Sequence, residues 1–132
     1  MSVHAAIQSD CREEMEALVR DNKGVESAAV ISGDGFEVAS VLRAGVSGEK
    51  LAAMASSLLA LSEAVVNELR MSSCRNVIIE SEQGVLVTMR IPATNRELLM
   101  SVLCNNASSL GAVLFAARAC AQSLSLRIPA PA

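Results

Sequence analysis

The chain has 132 residues, a net charge of −3 and no stretch rich in lysine or arginine. Proteins that bind nucleic acid need a basic surface, and those that bind single strands also use aromatic stacking platforms. This sequence has two Phe, no Trp and no Tyr, so we expect no nucleic-acid partner and a core of aliphatic side chains. A chain of this length buries enough surface to fold alone, and we predict a single domain over residues 1–132.

The cysteines indicate free thiols rather than a metal site or a disulfide framework. Cys11, Cys74, Cys104 and Cys120 are widely spaced, no CxxC pair occurs, and the single histidine is His4. Zinc sites need clustered ligands, so we expect no metal and no other cofactor. The first residues lack a basic, apolar leader, and no uncharged apolar run reaches the ~18 residues of a membrane span. We therefore expect a cytoplasmic protein that does not insert into membranes.

The first third of the chain has the pattern of a helix followed by a hairpin. Apolar residues recur at helical spacing between Val3 and Asn22, which predicts an amphipathic helix with one buried face. Two short apolar runs, 25–32 and 36–42, flank a Gly-Asp-Gly sequence at 33–35 and predict two strands joined by a turn. A phosphate-binding or metal-binding loop is the alternative, but the glycine sequence is too short and no helix follows it directly.

The central segment 47–70 predicts one long helix, with Ser47 as its N-cap and Glu49 in its first turn. Its large apolar residues form a stripe that we expect to be buried against a sheet: Leu51, Met54, Leu58, Leu61, Val65 and Leu69, extended by Ala55, Leu59 and Val66. The opposite side, called the small face below, carries only small or short polar residues: Ala53, Ser56, Ser57, Ala60, Ala64 and Asn67. These alanines are either simply good helix formers or part of a surface that a partner approaches closely. Glu63 and Glu68 flank the stripe, and we expect both to be solvated.

The remaining segments complete the predicted sheet. Runs 76–81 and 85–91 predict a second hairpin, and 97–104 predicts a fifth strand buried on both faces, with a short helix as the alternative. A last helix starts at Leu110. The order α-β-β-α-β-β-β-α predicts an α+β sandwich with a five-stranded, mostly antiparallel sheet. We expect the long helix on one face and the two terminal helices on the other.

Chemistry-bearing patterns are sparse in this sequence. His4 lies alone near the N-terminus, no serine stands in a nucleophile elbow, and no base accompanies a cysteine. We therefore predict that the protein is not an enzyme.

Segments 24–40, 51–69, 76–91 and 105–124 resemble, in order and spacing, the Roadblock/dynein-light-chain domain, and most of all its bacterial MglB-type branch. The resemblance covers about residues 10–126. It implies a non-catalytic protein that forms homodimers or heterodimers, with two sheets joined edge to edge and the long helices side by side. It also implies a small Ras-like GTPase as partner, in some bacterial relatives through GTPase activation. The alternative is a structural adaptor in a motor or signalling complex, without a nucleotide-dependent partner.

Two surfaces follow from these expectations. By position, the resemblance implies that the partner binds the small face of the long helix: Ala53, Ser56, Ser57, Ala60, Ala64 and Asn67. The apolar strand at 76–81 would promote aggregation if its edge stayed open, so we expect it to pair with a second copy or a paralogous Roadblock-like subunit. The predicted dimerisation residues are Asn76, Val77, Ile78, Ile79 and Glu80.

Overall fold

The computed structural model describes residues 2–92, 94 and 97–128, and its helices and strands follow the predicted order. They are α1 (Val3–Asp21), β1 (Val25–Ser32), β2 (Glu37–Val41), α2 (Gly48–Glu68), β3 (Asn76–Ser81), β4 (Gly84–Ile91), β5 (Leu98–Asn105) and α3 (Leu110–Arg127). The sheet order is β2-β1-β5-β4-β3, and all four neighbouring pairs are antiparallel. The predicted fold class is confirmed, and β2 and β3 are the two edges of the sheet.

The three helices cover the two faces of the sheet as predicted. Alternate residues of the central strands point to opposite faces. On β1, for example, Val30 joins the core shared with α1 and α3, whereas Ala29 joins the core under α2. β5 repeats this alternation with Met100 and Leu99. The central strands are therefore buried on both sides, which explains why their sequences are continuously apolar.

Serine hydroxyls fix the starts of all three helices. Ser2, Ser47 and Ser109 have extended backbones, and their side-chain oxygens accept hydrogen bonds from backbone N–H groups three residues later, at 3.1–3.2 Å. Such caps satisfy donors that have no partner within the helix.

The buried side of α2 differs from the expected stripe: the prediction is confirmed for Ala55 and Leu59 and wrong for the centre of the stripe. The fully buried residues of α2 are Ala52, Ala55 and Leu59. Of the residues expected in the core, Leu51, Leu58 and Val66 are half-buried, and Met54, Leu61, Val65 and Leu69 are exposed. Small side chains at the contact allow the helix to lie close to the sheet above Ala29 and Ile31. The larger apolar side chains consequently flank the contact instead of filling it.

Candidate interaction surfaces on the long helix and the sheet edge

One side of α2 presents large apolar side chains to solvent. We call Met54, Leu61, Val65 and Leu69 the exposed stripe. Their side chains are between 50 % and 64 % exposed, and the helical repeat places them on one side of α2. Large apolar side chains grouped on one exposed side of a helix make this side a candidate interaction surface.

The small face lies on the other side of the buried contact. Ala53, Ser57, Ala60, Ala64 and Asn67 are exposed, and Ser56 is half-buried. The Ser56 hydroxyl donates to the carbonyl of Ala53 at 3.3 Å, so this polar group is satisfied within the helix. The structure thus brings all six predicted partner-binding residues to one side of α2. These six positions carry no long side chain and no charge.

Glu63 holds α2 against the sheet, contrary to the expectation that it is solvated. Its Oε1 atom accepts from the backbone N–H of Cys74 at 3.1 Å and from Nη1 of Arg90 at 3.0 Å. Arg90 also pairs with Glu97 at 3.3 Å. No local pattern in the sequence links Glu63 to an arginine 27 residues away, because the pairing depends on how α2 crosses β4.

The five residues predicted for dimerisation, 76–80, lie on the edge strand β3. One side of this strand pairs with β4, from Asn76 opposite Met89 to Ser81 opposite Gly84, and its other side is unpaired in the described chain. Ile78 and Ile79 are exposed, whereas Val77 packs against the core under α2. A free backbone edge flanked by exposed isoleucines is a template for pairing with another strand.

The opposite edge of the sheet is less suited to pairing. β2 has five residues, and its register with β1 shifts between Val30 and Ile31. Short strands and bulges are features that protect a sheet edge. The two edges therefore differ, and β3 is the open one.

The composition of α2 also bears on membranes. Among the residues that the structure describes, α2 is the one helix long and apolar enough to cross a membrane, with a mean hydropathy of 1.2 over 18 residues. One side of this helix is, however, packed on the sheet through Leu59 and tied to it through Glu63. The apolar residues of α2 therefore include those packed on the sheet and those of the exposed stripe. The absence of membrane insertion stays a prediction.

Three of the four cysteine thiols, which are buried, are poor candidates for chemistry. Burial raises the pKa of the Cys11 and Cys104 thiols to about 11 and that of Cys120 to about 12. These thiols are therefore protonated at neutral pH, and the protonated form is a weak nucleophile. Within residues 2–92, 94 and 97–128, no cluster of histidine, cysteine and acidic side chains is arranged to hold a metal ion.

Comparisons with known proteins identify the family. The model of the Roadblock/LC7 domain matches residues 12–103. A Roadblock/LC7 domain from Streptomyces avermitilis superposes with a TM-score of 0.78 at 19 % identity, covering 87 % of this chain and 94 % of that one. The gliding protein MglB from Thermus thermophilus has a TM-score of 0.78 at 18 % identity, covering 93 % and 91 %.

A structure of MglB in a tetrameric arrangement also shares the fold, with a TM-score of 0.79 at 19 % identity and coverage of 93 % and 90 %. A search of curated proteins found no match. The structural likenesses show a common fold, and the domain match extends from α1 through β5. The chain belongs to the Roadblock/LC7 domain family.

Proposed function

We propose that this protein is a non-catalytic, dimeric binding platform for a small Ras-like GTPase, with stimulation of GTP hydrolysis as its candidate output. The observation that carries the proposal is that α2 exposes two different surfaces, the exposed stripe and the small face, on either side of one buried contact. Each surface suits a different neighbour.

The exposed stripe and the β3 edge suit another Roadblock-like subunit. Covering the stripe removes large apolar side chains from water, which stabilises the complex by roughly 25 cal/mol for each Å² of apolar surface buried. Pairing β3 satisfies its free backbone groups at the same time. Both features lie on elements that share one core cluster, because Val77 of β3 packs against the cluster that contains Leu59 of α2. The tetrameric arrangement of MglB, a protein with this fold, supports the proposal that this chain self-associates.

The small face suits a partner that approaches α2 closely. Interface cores are depleted in charged residues, and the side chains of Ala53, Ser57, Ala60 and Ala64 let a second backbone come near. Two copies of α2 side by side would double this surface. The identity of the partner as a Ras-like GTPase comes from the family and its MglB-type branch, whereas the residues supply the shape and polarity of the platform.

Charge insertion on the small face tests the platform. Ala60→Glu and Ser57→Arg each place an unpaired charge where a partner must approach, so we expect both to abolish binding of the cognate GTPase. The melting temperature should not change, because both sites are exposed. Ala6→Glu and Ser9→Arg on exposed positions of α1 are matched controls on the opposite face of the sheet. Wild-type affinity in both small-face variants would exclude this surface.

The nucleotide state of the partner separates the two candidate functions. A regulator should bind the GTP-loaded partner more tightly than the GDP-loaded one, and single-turnover hydrolysis should show whether it accelerates the reaction. The second candidate is a structural adaptor that tethers other proteins. An adaptor could use the same surfaces, and equal affinities for the GDP-loaded and GTP-loaded partner would favour this candidate.

A further inference from the structure

Charged side chains at the open edge of β3 are sorted by sign along the strand. Arg75 precedes β3, and Arg118 of α3 donates from Nη2 to Oδ1 of Asn76, the first residue of the strand, at 3.3 Å. Glu80 lies near the opposite end of the strand, and Glu82 is the first residue after it. All four charged side chains are exposed, and none forms an ion pair with another residue of the described part of the chain.

The two arginines share a cavity of about 200 Å³ at the start of β3. Its lining also includes Asn76, Gln122 and Arg90. Arg90 is already neutralised by Glu63 and Glu97, at 3.0 and 3.3 Å. Arg75 and Arg118 therefore present positive charge that no carboxylate of the described chain offsets.

The alternation of side chains restricts how β3 can pair with a second copy of itself. Val77 packs under α2, whereas Asn76 contacts α3 on the other face of the sheet. Because side chains alternate along a strand, Ile78 and Glu80 lie on the same face as Asn76. A two-fold axis perpendicular to the sheet keeps both copies of α2 on one face. Residues directly opposite each other must then point to the same face. Only registers such as Ile78 opposite Ile78, or Ile79 opposite Ile79, satisfy this condition near the strand centre.

Both registers bring opposite charges together. Centring on Ile78 places Asn76 opposite Glu80 of the second copy. Centring on Ile79 brings Asn76 next to Glu82 of the second copy, the first residue after β3. Side chains directly opposite each other in an antiparallel pair have Cβ atoms roughly 4.5–5.5 Å apart. In either case a carboxylate of the second copy reaches the cavity of Arg75 and Arg118, and the two-fold axis repeats the contact at the other end of the strand.

We propose that the partner of the β3 edge is a second copy of this chain, and that the acidic end of each β3 enters the arginine cavity of the other copy. This inference rests on the dimer of the proposed function and deepens it by choosing self-pairing over a paralogous subunit. Exposed ion pairs contribute little affinity, whereas like charges opposed across an interface are repulsive. The charges therefore act mainly on the choice of partner and register, and the apolar contacts supply the affinity.

Charge reversal followed by mixing tests this pairing. The basic-end variant carries Arg75→Glu and Arg118→Glu, and the acidic-end variant carries Glu80→Arg and Glu82→Arg. Each variant alone opposes like charges at both ends of the strand, so we expect its dimer dissociation constant to rise at least about tenfold. In an equimolar mixture every contact again joins opposite charges. Sedimentation velocity at low ionic strength should therefore show a mixed dimer, and high salt should reduce the difference from the unmixed variants.

The controls distinguish this inference from the dimer itself. Arg12→Glu and Glu16→Arg reverse exposed charges on α1, far from β3, that form no ion pair with any residue the structure describes, and they should leave the dissociation constant unchanged. Arg75→Glu alone supplies a single-site variant, because Arg75 makes no ion pair within the described chain. A monomeric wild type at micromolar concentration would overturn the proposed dimer. A wild-type dimer whose reversed variants dimerise normally, or whose mixture fails to recover, would overturn only the charge-matched self-pairing.

Discussion

Leu59→Ala is the most direct test of how α2 packs on the sheet. The Leu59 side chain is 1 % exposed and lies among Ala29, Ile31, Ala52, Ala55 and Leu99. Truncation removes three buried carbon groups, which at about 0.8 kcal/mol each amounts to about 2.4 kcal/mol of transfer free energy. The neighbouring helix side chains are alanines, which are too short to fill the space left behind. A cavity term is therefore added, and we expect a total loss of about 3–4 kcal/mol.

Leu61→Ala is the matched control, since it makes the same change two residues further along α2. The Leu61 side chain is 64 % exposed, so its truncation should alter the stability of the monomer by no more than about 0.5 kcal/mol. If the exposed stripe is covered in a dimer, the same change should lower stability only at protein concentrations where the dimer forms.

Urea unfolding followed by circular dichroism over a range of protein concentrations separates the two effects. Leu59→Ala should lower the free energy of unfolding at every concentration, and Leu61→Ala only at high concentration. A loss below about 1 kcal/mol for Leu59→Ala would refute this packing. Equal losses for both variants at concentrations where the wild type is monomeric would do so as well, since the stripe would then be part of the core.

The remaining predictions concern Glu63, the β3 edge and the buried thiols. Glu63→Ala leaves the Cys74 N–H without its acceptor and should lower the free energy of unfolding by about 1–2 kcal/mol, measured by urea titration; an unchanged value would mean that water replaces the carboxylate at no cost. Ile78→Pro removes a backbone donor from the β3 edge and should weaken the dimer in sedimentation experiments; normal dimerisation would identify a different interface. The free energy of unfolding should fall as pH rises above about 9, because the thiols of the unfolded chain ionise there. In the folded protein, burial keeps the pKa of Cys11 at about 11 and that of Cys120 at about 12. A free energy of unfolding that stays constant between pH 9 and 11 would contradict this assignment.

The order of the elements and most of their limits follow from the sequence alone. β1 at Val25–Ser32 and β3 at Asn76–Ser81 have the predicted bounds, because turn residues flank short apolar runs on both sides. The buried face of α1 also followed from helical spacing, since Ile7, Cys11, Met15 and Leu18 recur on one side of this helix. β2 starts at Glu37, one residue later than predicted, and Phe36 is exposed.

The candidate site could be predicted only in part. The small face and the open strand were selected from the sequence because their unusual features, the lack of long side chains and a short apolar run, are local. The exposed stripe was assigned to the core instead, because large apolar residues at helical spacing indicate burial without indicating whether the covering surface belongs to the same chain. The hydrogen bonds of Glu63 could not be predicted from the sequence. Their donors, the Cys74 N–H and the Arg90 side chain, approach Glu63 only when α2 crosses the sheet.

The packing of the folded chain selects which side of α2 faces the sheet and which charges meet at the edge. Small residues at 52 and 55 allow the closest approach of helix and sheet, and this packing turns the exposed stripe outward. Arg118 reaches Asn76 from a helix 42 residues further along the chain, so the arginine cavity exists only in the folded molecule. Periodicity records which residues share a face of one element, whereas the choice among faces depends on the shape of the surface against which that element packs.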